Sequence, residues 1–145
     1  MRCVDVNVLV YAHRRDLREH DAYRSLMEGW ANDDEPLGLA DVVLAGFLRV
    51  VTSRHIFVEP TPSAEAWEQV DALLGARASI ALHPSERHWE HFSRLARRID
   101  AKGNDVPDAY VAAFAVENNA MFLSADRGFA RFADLRWIHP LDAQP

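Results

Sequence analysis

The chain has 145 residues, 49% of them hydrophobic and 26% charged, with one cysteine and a formal net charge of −6. That is ordinary globular composition, and the length fits one domain over residues 1–145 whose core needs no disulfide or zinc staple. The acidic balance argues against a protein that coats nucleic acid non-specifically through Lys and Arg contacts to phosphate, but not against a nuclease, because a metal site needs carboxylates.

The first predicted element is a strand over Cys3–Tyr11, where Val4, Val6, Val8 and Val10 supply β-branched side chains. The run is nearly continuous in apolar character, as in a central parallel strand covered on both faces. Tyr23, Leu26, Met27 and Trp30 then share a helical face. Leu37–Ala40 reads as a second strand, followed by a helix carrying Val43, Phe47, Val50 and Val51. A start signal at Thr61–Ser63 precedes a helix with Trp67, Val70, Leu73 and Leu74 on one face. Ser79–Leu82 is a weaker strand candidate. Further helices carry Trp89, Phe92, Leu95, Ala96 and Ile99, and then Ala109, Ala112, Ala113 and Val116. Strands at Met121–Ser124 and Arg136–His139 close the chain. Strands separated by helices imply an α/β fold with parallel pairing and helices on both faces. In such sheets ligands bind at the carboxyl ends of the strands.

The carboxylates fall at those ends. Asp5 lies in an apolar run, where a carboxylate is costly to bury unless paired or bound to a metal. On a strand, Asp5 and Asn7 would face the same way. The alternative is that both are hydrated where strand meets loop. Ser124 and Asp126 repeat the two-residue spacing after the strand at Met121–Ser124, with a turn or helix cap as the alternative. Asp105 looks like a helix N-cap, with Pro107 and Asp108 in the first turn. Both acids could serve only the helix dipole there, a reading that suits Asp105 better than Asp108, which borders a close-packing alanine face. Clustered carboxylates repel one another unless a cation offsets them, and oxygen-only ligands select hard ions, chiefly Mg²⁺ or Mn²⁺.

These segments, taken together, resemble PIN domains. Val4-Asp5-Val6-Asn7-Val8-Leu9 is similar to the opening motif of that family, Asp105-Val106-Pro107-Asp108-Ala109 to its acidic segment before an alanine-rich helix, and Ser124-Ala125-Asp126-Arg127-Gly128-Phe129 to its closing element. Order and spacing agree along essentially the whole chain, and bacterial VapC toxins are the subgroup most resembled. The resemblance implies a three-layer α/β/α sandwich on a central parallel sheet. It implies a Mg²⁺-dependent endoribonuclease, with Mn²⁺ as a substitute, that cleaves RNA by metal-activated water. Its partners would be a VapB-like antitoxin and a second copy of the chain. Carried over by position, Asp5, Asp108 and Asp126 form the catalytic and metal site, Asp105 joins the acidic cluster, and Asn7 and Ser124 support it. Gly46 departs from the family pattern, standing where an acidic residue is usual. It favours the rival reading of a non-catalytic PIN-fold module that binds RNA or antitoxin, unless Asp105 or Asp41 partly compensates, the metal is held by fewer carboxylates, or activity is weak. A dehalogenase-like phosphatase also starts from a strand-borne Asp, but it would need Asp at position 7.

The remaining features take plainer readings. Arg14, Arg15 and Arg18 either guide RNA or form a solvated loop. His88 and His91 read as a surface pair rather than zinc ligands. Cys3, Trp30, Trp67 and Trp89 read as core, and Arg94, Arg97, Arg98 and Lys102 as a solvated helix face. No run approaches the roughly 20 apolar residues of a membrane span. The start lacks the apolar stretch of a secretory signal. A lone cysteine suits a reducing compartment. A cytoplasmic protein without membrane association is expected.

Overall fold

The computed structural model describes residues 1–143. Its strands are β1 (Arg2–Val4), β2 (Leu37–Ala40), β3 (Ser79–Leu82), β4 (Met121–Leu123) and β5 (Trp137–Ile138). Its α-helices are α1 (Val6–His13), α2 (His20–Ala31), α3 (Asp41–Val51), α4 (Ser63–Leu74), α5 (His88–Arg98) and α6 (Asp105–Glu117). The strands form one parallel sheet in the order β3-β2-β1-β4-β5.

That order places the helices. The chain steps from β1 to β2 to β3 in one direction, then crosses back to β4 on the other side of β1. Right-handed crossovers put the helices of the two directions on opposite faces of the sheet. Accordingly α1 packs on α2 and α3, and α3 on α4, while α5 packs on α6, which lies against β1 and β4. The expected α/β/α sandwich is what forms. The direction of winding reverses between β1 and β4, so their carboxyl ends flank the crevice where such folds bind ligands.

The strand expected over Cys3–Tyr11 is instead a strand of three residues followed by α1. Asp5 stands between them as the N-cap of α1, with its side chain accepting from Val6 N. The alternating valines misled because α1 buries Val8, Leu9 and Val10 at once. A helix apolar on all sides is a buried helix, and its residues carry no clean period. The weaker strand at Ser79–Leu82 is real and lies at the edge of the sheet.

Other corrections concern burial. Trp30 is buried, but Trp67 and Trp89 are 55% and 71% exposed, so they are not core. His88 is not on the surface: it is buried, with Nδ1 2.8 Å from Glu117 Oε1 and Nε2 3.1 Å from the Tyr110 carbonyl. Glu117 also accepts from Ser85, and these bonds hold its carboxyl below the usual range although burial pushes it upward. Arg14 is not a free loop cation. It is buried, pairs with Asp16 at 2.7 Å, donates to the Glu59 carbonyl and lies 4.0 Å from the Phe57 ring centroid. Cys3 is core as expected, and burial pushes its thiol up to about 12.

Gly46 has a packing reason. A Cβ there would come within 2.8 Å of Val6 Cγ2, so its absence lets α3 approach α1 beside Asp5. Val6 is β-branched and stiff on a helix, which leaves it little room to yield. Overpacking of this kind costs about 1–3 kcal/mol, against a helix-propensity gain of about 1 kcal/mol on removing glycine. Gly46→Ala should therefore destabilise the protein, and Val6→Ala should relieve the strain. Urea unfolding of the two single variants and the double variant checks this. The double variant should lose less than the sum of the singles by about 1 kcal/mol; additive losses would show that residues 6 and 46 do not press on each other.

Candidate active site

Asp5 leaves the sheet at the end of β1, its own N–H bonded to the Leu123 carbonyl of β4 at 3.0 Å. Its Oδ1 accepts from Val6 N at 2.7 Å. Its Oδ2 accepts from Asn7 Nδ2 at 3.0 Å and from Ser124 Oγ at 2.7 Å. Ser124 is fully buried just past β4, and its Oγ also accepts from Asn7 Nδ2 and Asp126 N, at 3.0 and 3.1 Å. Asn7 Oδ1 closes the set by accepting from Ala125 N at 3.1 Å. One network thus ties the β1–α1 junction to the turn after β4. Asp5 and Asn7 do come together as expected, but through the first turn of a helix rather than through strand alternation.

Asp126 is exposed and caps the 3₁₀ turn over Arg127–Arg131, accepting from Gly128 N at 2.8 Å. Its cap role and its place at the β4 end coexist. Asp105 is not the N-cap: α6 begins at Asp105, and Asn104 before it makes no capping side-chain bond. Asp105 Oδ2 accepts from Lys102 N at 3.3 Å. Asp108 follows one turn on, beside the buried Ala109, Ala112 and Ala113. Asp41 does not join these residues and pairs with His83 at 3.3 Å.

Burial is the main cause that raises the Asp5 carboxyl above its ordinary pKa. The hydrogen bonds from Ser124 and Val6 oppose it, and the charges of Asp108 and Asp126 add to it. The carboxylates of Asp108, on α6, and Asp126, in the turn after β4, are thus near enough for their charges to act on Asp5. Among the described residues, no three His, Cys, Asp or Glu side chains converge as a ready-made metal cage. The donors are nevertheless all oxygen, and a half-buried carboxylate with two more acting on it suits a hard divalent ion that keeps several waters.

Arg131 was not anticipated. Its Nη2 donates to Asp108 Oδ2 at 2.9 Å and to Asp105 Oδ1 at 3.2 Å, and its Nη1 reaches the Gly128 carbonyl. In the sequence it is one arginine in a short turn. Only the fold brings it across to α6, so no local pattern could have marked it.

A crevice of about 420 Å³ opens at Asp5 and Asn7, walled by Val10, Tyr11, Val50 and Phe57. A larger groove of about 770 Å³ runs past Arg14, His20, Arg24, Glu28 and Glu65, and none of the site carboxylates lines it. No helix among the described residues is long and apolar enough to cross a membrane.

Comparison with known proteins bears on the family and the fold. The chain is 67% identical over 144 residues to VapC ribonuclease Mb2897 of Mycobacterium bovis, covering 99% of this chain and 98% of that one. It is 39% identical over 140 residues to ribonuclease VapC25 of Mycobacterium tuberculosis, covering 97% and 99%. Its fold is shared by VapBC2 of Rickettsia felis, solved bound to a DNA fragment from its promoter. That match has a TM-score of 0.72 at 18% identity, over 95% of this chain and 97% of that one. Mycobacterium tuberculosis VapC20, described as a sarcin–ricin loop cleaving toxin, matches with a TM-score of 0.68 at 14% identity over 94% and 98%. The profile of the PIN domain matches residues 2–135, and the chain belongs to the PIN domain family.

Proposed function

We propose that this protein is a divalent-metal-dependent endoribonuclease, the toxin of a toxin–antitoxin pair, with Asp5, Asp108 and Asp126 as the metal-binding and catalytic carboxylates. The observation that carries the reading is the half-buried Asp5 carboxylate, held by donors from two strand ends and raised chiefly by its partial burial, with the charges of Asp108 and Asp126 adding to it. Its near full-length identity to ribonucleases supports the substrate class. Mg²⁺ is the ion that the donor chemistry favours, with Mn²⁺ as a substitute. When bound, it would supply an acidified water and charge stabilisation at the scissile phosphate. Asn7 and Ser124 fix the orientation of Asp5, and Asp105 adds charge at the start of α6. The rival reading of a non-catalytic module rested on Gly46, whose absent side chain now has a packing explanation.

The partners are proposed on the same grounds. A VapB-like antitoxin is supported by VapBC assemblies sharing the fold, and a homodimer by the likeness to VapC toxins. Exposed Ile56, Val58, Trp67 and Trp89 offer apolar surface for such contacts. The chain would act as one domain, since the family match and the core both span nearly its whole length. A cytoplasmic setting fits a ribonuclease with a single, buried thiol.

Cleavage of a structured RNA by purified variants tests the reading. Ser124→Ala removes one bond to Asp5 and should lower Mg²⁺-dependent cleavage about 10- to 100-fold. Asp5→Asn should cost more than Ser124→Ala, and Asp108→Asn more than Asp105→Asn, with melting curves confirming that each variant folds. Undiminished cleavage by Asp5→Asn would remove Asp5 from the site.

Metal-free melting against pH gives a second check. The folded Asp5 carboxyl is raised above its ordinary 3.8, so the folded state holds this proton to higher pH than the unfolded chain does. Stability linked to Asp5 is then lost as pH rises through that window. The melting temperature of Asp5→Asn minus that of wild type should grow as pH is raised from about 4 to about 7, and Mg²⁺ should shrink the difference. A difference independent of pH would mean that Asp5 is not strained by its surroundings.

A further inference from the structure

Asp105 and Asp108 share a single nitrogen. Arg131 Nη2 lies 2.9 Å from Asp108 Oδ2 and 3.2 Å from Asp105 Oδ1. The guanidinium is anchored from below by the Gly128 carbonyl and lies 4.6 Å from the Phe132 ring centroid. Its Nε, by contrast, is buried without a hydrogen-bond partner. A guanidinium presents a fork that usually matches one carboxylate with two nitrogens. Here the fork gives up that match, and an Nε bond as well, to place one nitrogen between two carboxylates. What the placement achieves is charge balance at the start of α6, where two acids three residues apart would otherwise repel each other.

We propose that Arg131 is a positioning residue that serves as the built-in counter-cation of the acidic site and must leave Asp108 when a divalent ion binds. This rests on reading Asp108 as a metal ligand. A dication and a guanidinium on one carboxylate repel each other, so the arginine lowers metal affinity while it adds to the stability of the metal-free protein. The pairing is part-exposed, with Arg131 at 29% and Asp108 at 32% side-chain accessibility, which leaves the arginine a route to solvent.

Mn²⁺ titration by calorimetry, on wild type, Arg131→Gln and Arg131→Lys, reads the proposal without any activity assay. Arg131→Gln should bind Mn²⁺ roughly three- to tenfold more tightly, the range that one or two part-exposed ion pairs are worth. Its melting temperature should be lower without metal and rise further on adding Mn²⁺. Arg131→Lys keeps the charge and should return the affinity most of the way to wild type. Equal affinity in wild type and Arg131→Gln overturns the proposal, since a merely structural arginine would change only the melting temperature. Weaker binding by Arg131→Gln overturns it too, because it would make Arg131 an aid to Asp108 as a ligand. So would Arg131→Lys binding as tightly as Arg131→Gln. If wild type binds no Mn²⁺, the metal reading itself falls and takes this inference with it. Should Arg131→Gln fail to fold, nitrogen NMR of the wild-type guanidinium decides. Its rotation should be restricted in metal-free protein and free once Mg²⁺ saturates; rotation restricted throughout would mean that Arg131 never leaves.

Discussion

Asp5 is a carboxylate partly taken out of water and given hydrogen bonds from Val6, Asn7 and Ser124, while the charges of Asp108 and Asp126 repel it. Hydrogen bonds alone do not repay that burial, since its carboxyl stays above the ordinary range. The molecule therefore carries, at one point, a standing demand for positive charge. The groups around Asp5 can be read as answers to it: donors that hold its oxygens in place, and Arg131, whose guanidinium balances the acids of α6.

The sheet makes this concentration of charge unavoidable. Since β1 lies between β2 and β4, and the winding reverses beside it, the ends of β1 and β4 open onto one crevice. The network through Ser124 then fixes the two ends relative to each other, because its hydroxyl bonds to groups from both. The helices close in behind. Gly46 lets α3 settle against Val6, the residue after Asp5, so the same contact that packs the helices also sets the back wall of the site. An acidic side chain at position 46 would have to displace Val6 before it could reach the crevice. Stability and site geometry are coupled through that one missing Cβ.

Much of this was legible in the sequence, and the failures have physical causes. Asp5, Asn7, Ser124 and Asp126 stood out because polar side chains in apolar runs are costly, and the fold does bring them together. The element that carries Asp5 was misread, because a helix buried on several sides shows the same unbroken apolar run as a covered strand. Trp67 and Trp89 were misplaced because an apolar stripe says which face of a helix is greasy, not whether another element covers it. His88 reads as a surface residue in the sequence because its partner Glu117 lies 29 residues away, on the next helix. Arg131 was silent for the same reason, its partners being 23 and 26 residues distant. Pairings that only tertiary structure creates leave no local period to read.

The proposed function places a divalent ion at Asp5 and Asp108, with Asp126 nearby. Crystals grown with Mn²⁺ and measured at a wavelength where manganese scatters anomalously would test it most directly. An anomalous peak is expected in the crevice between the ends of β1 and β4, in contact with carboxylate oxygens of Asp5 and Asp108 and reaching Asp126 directly or through water. A peak only at Asp41 and His83, or no peak at Mn²⁺ concentrations that support cleavage, would contradict it.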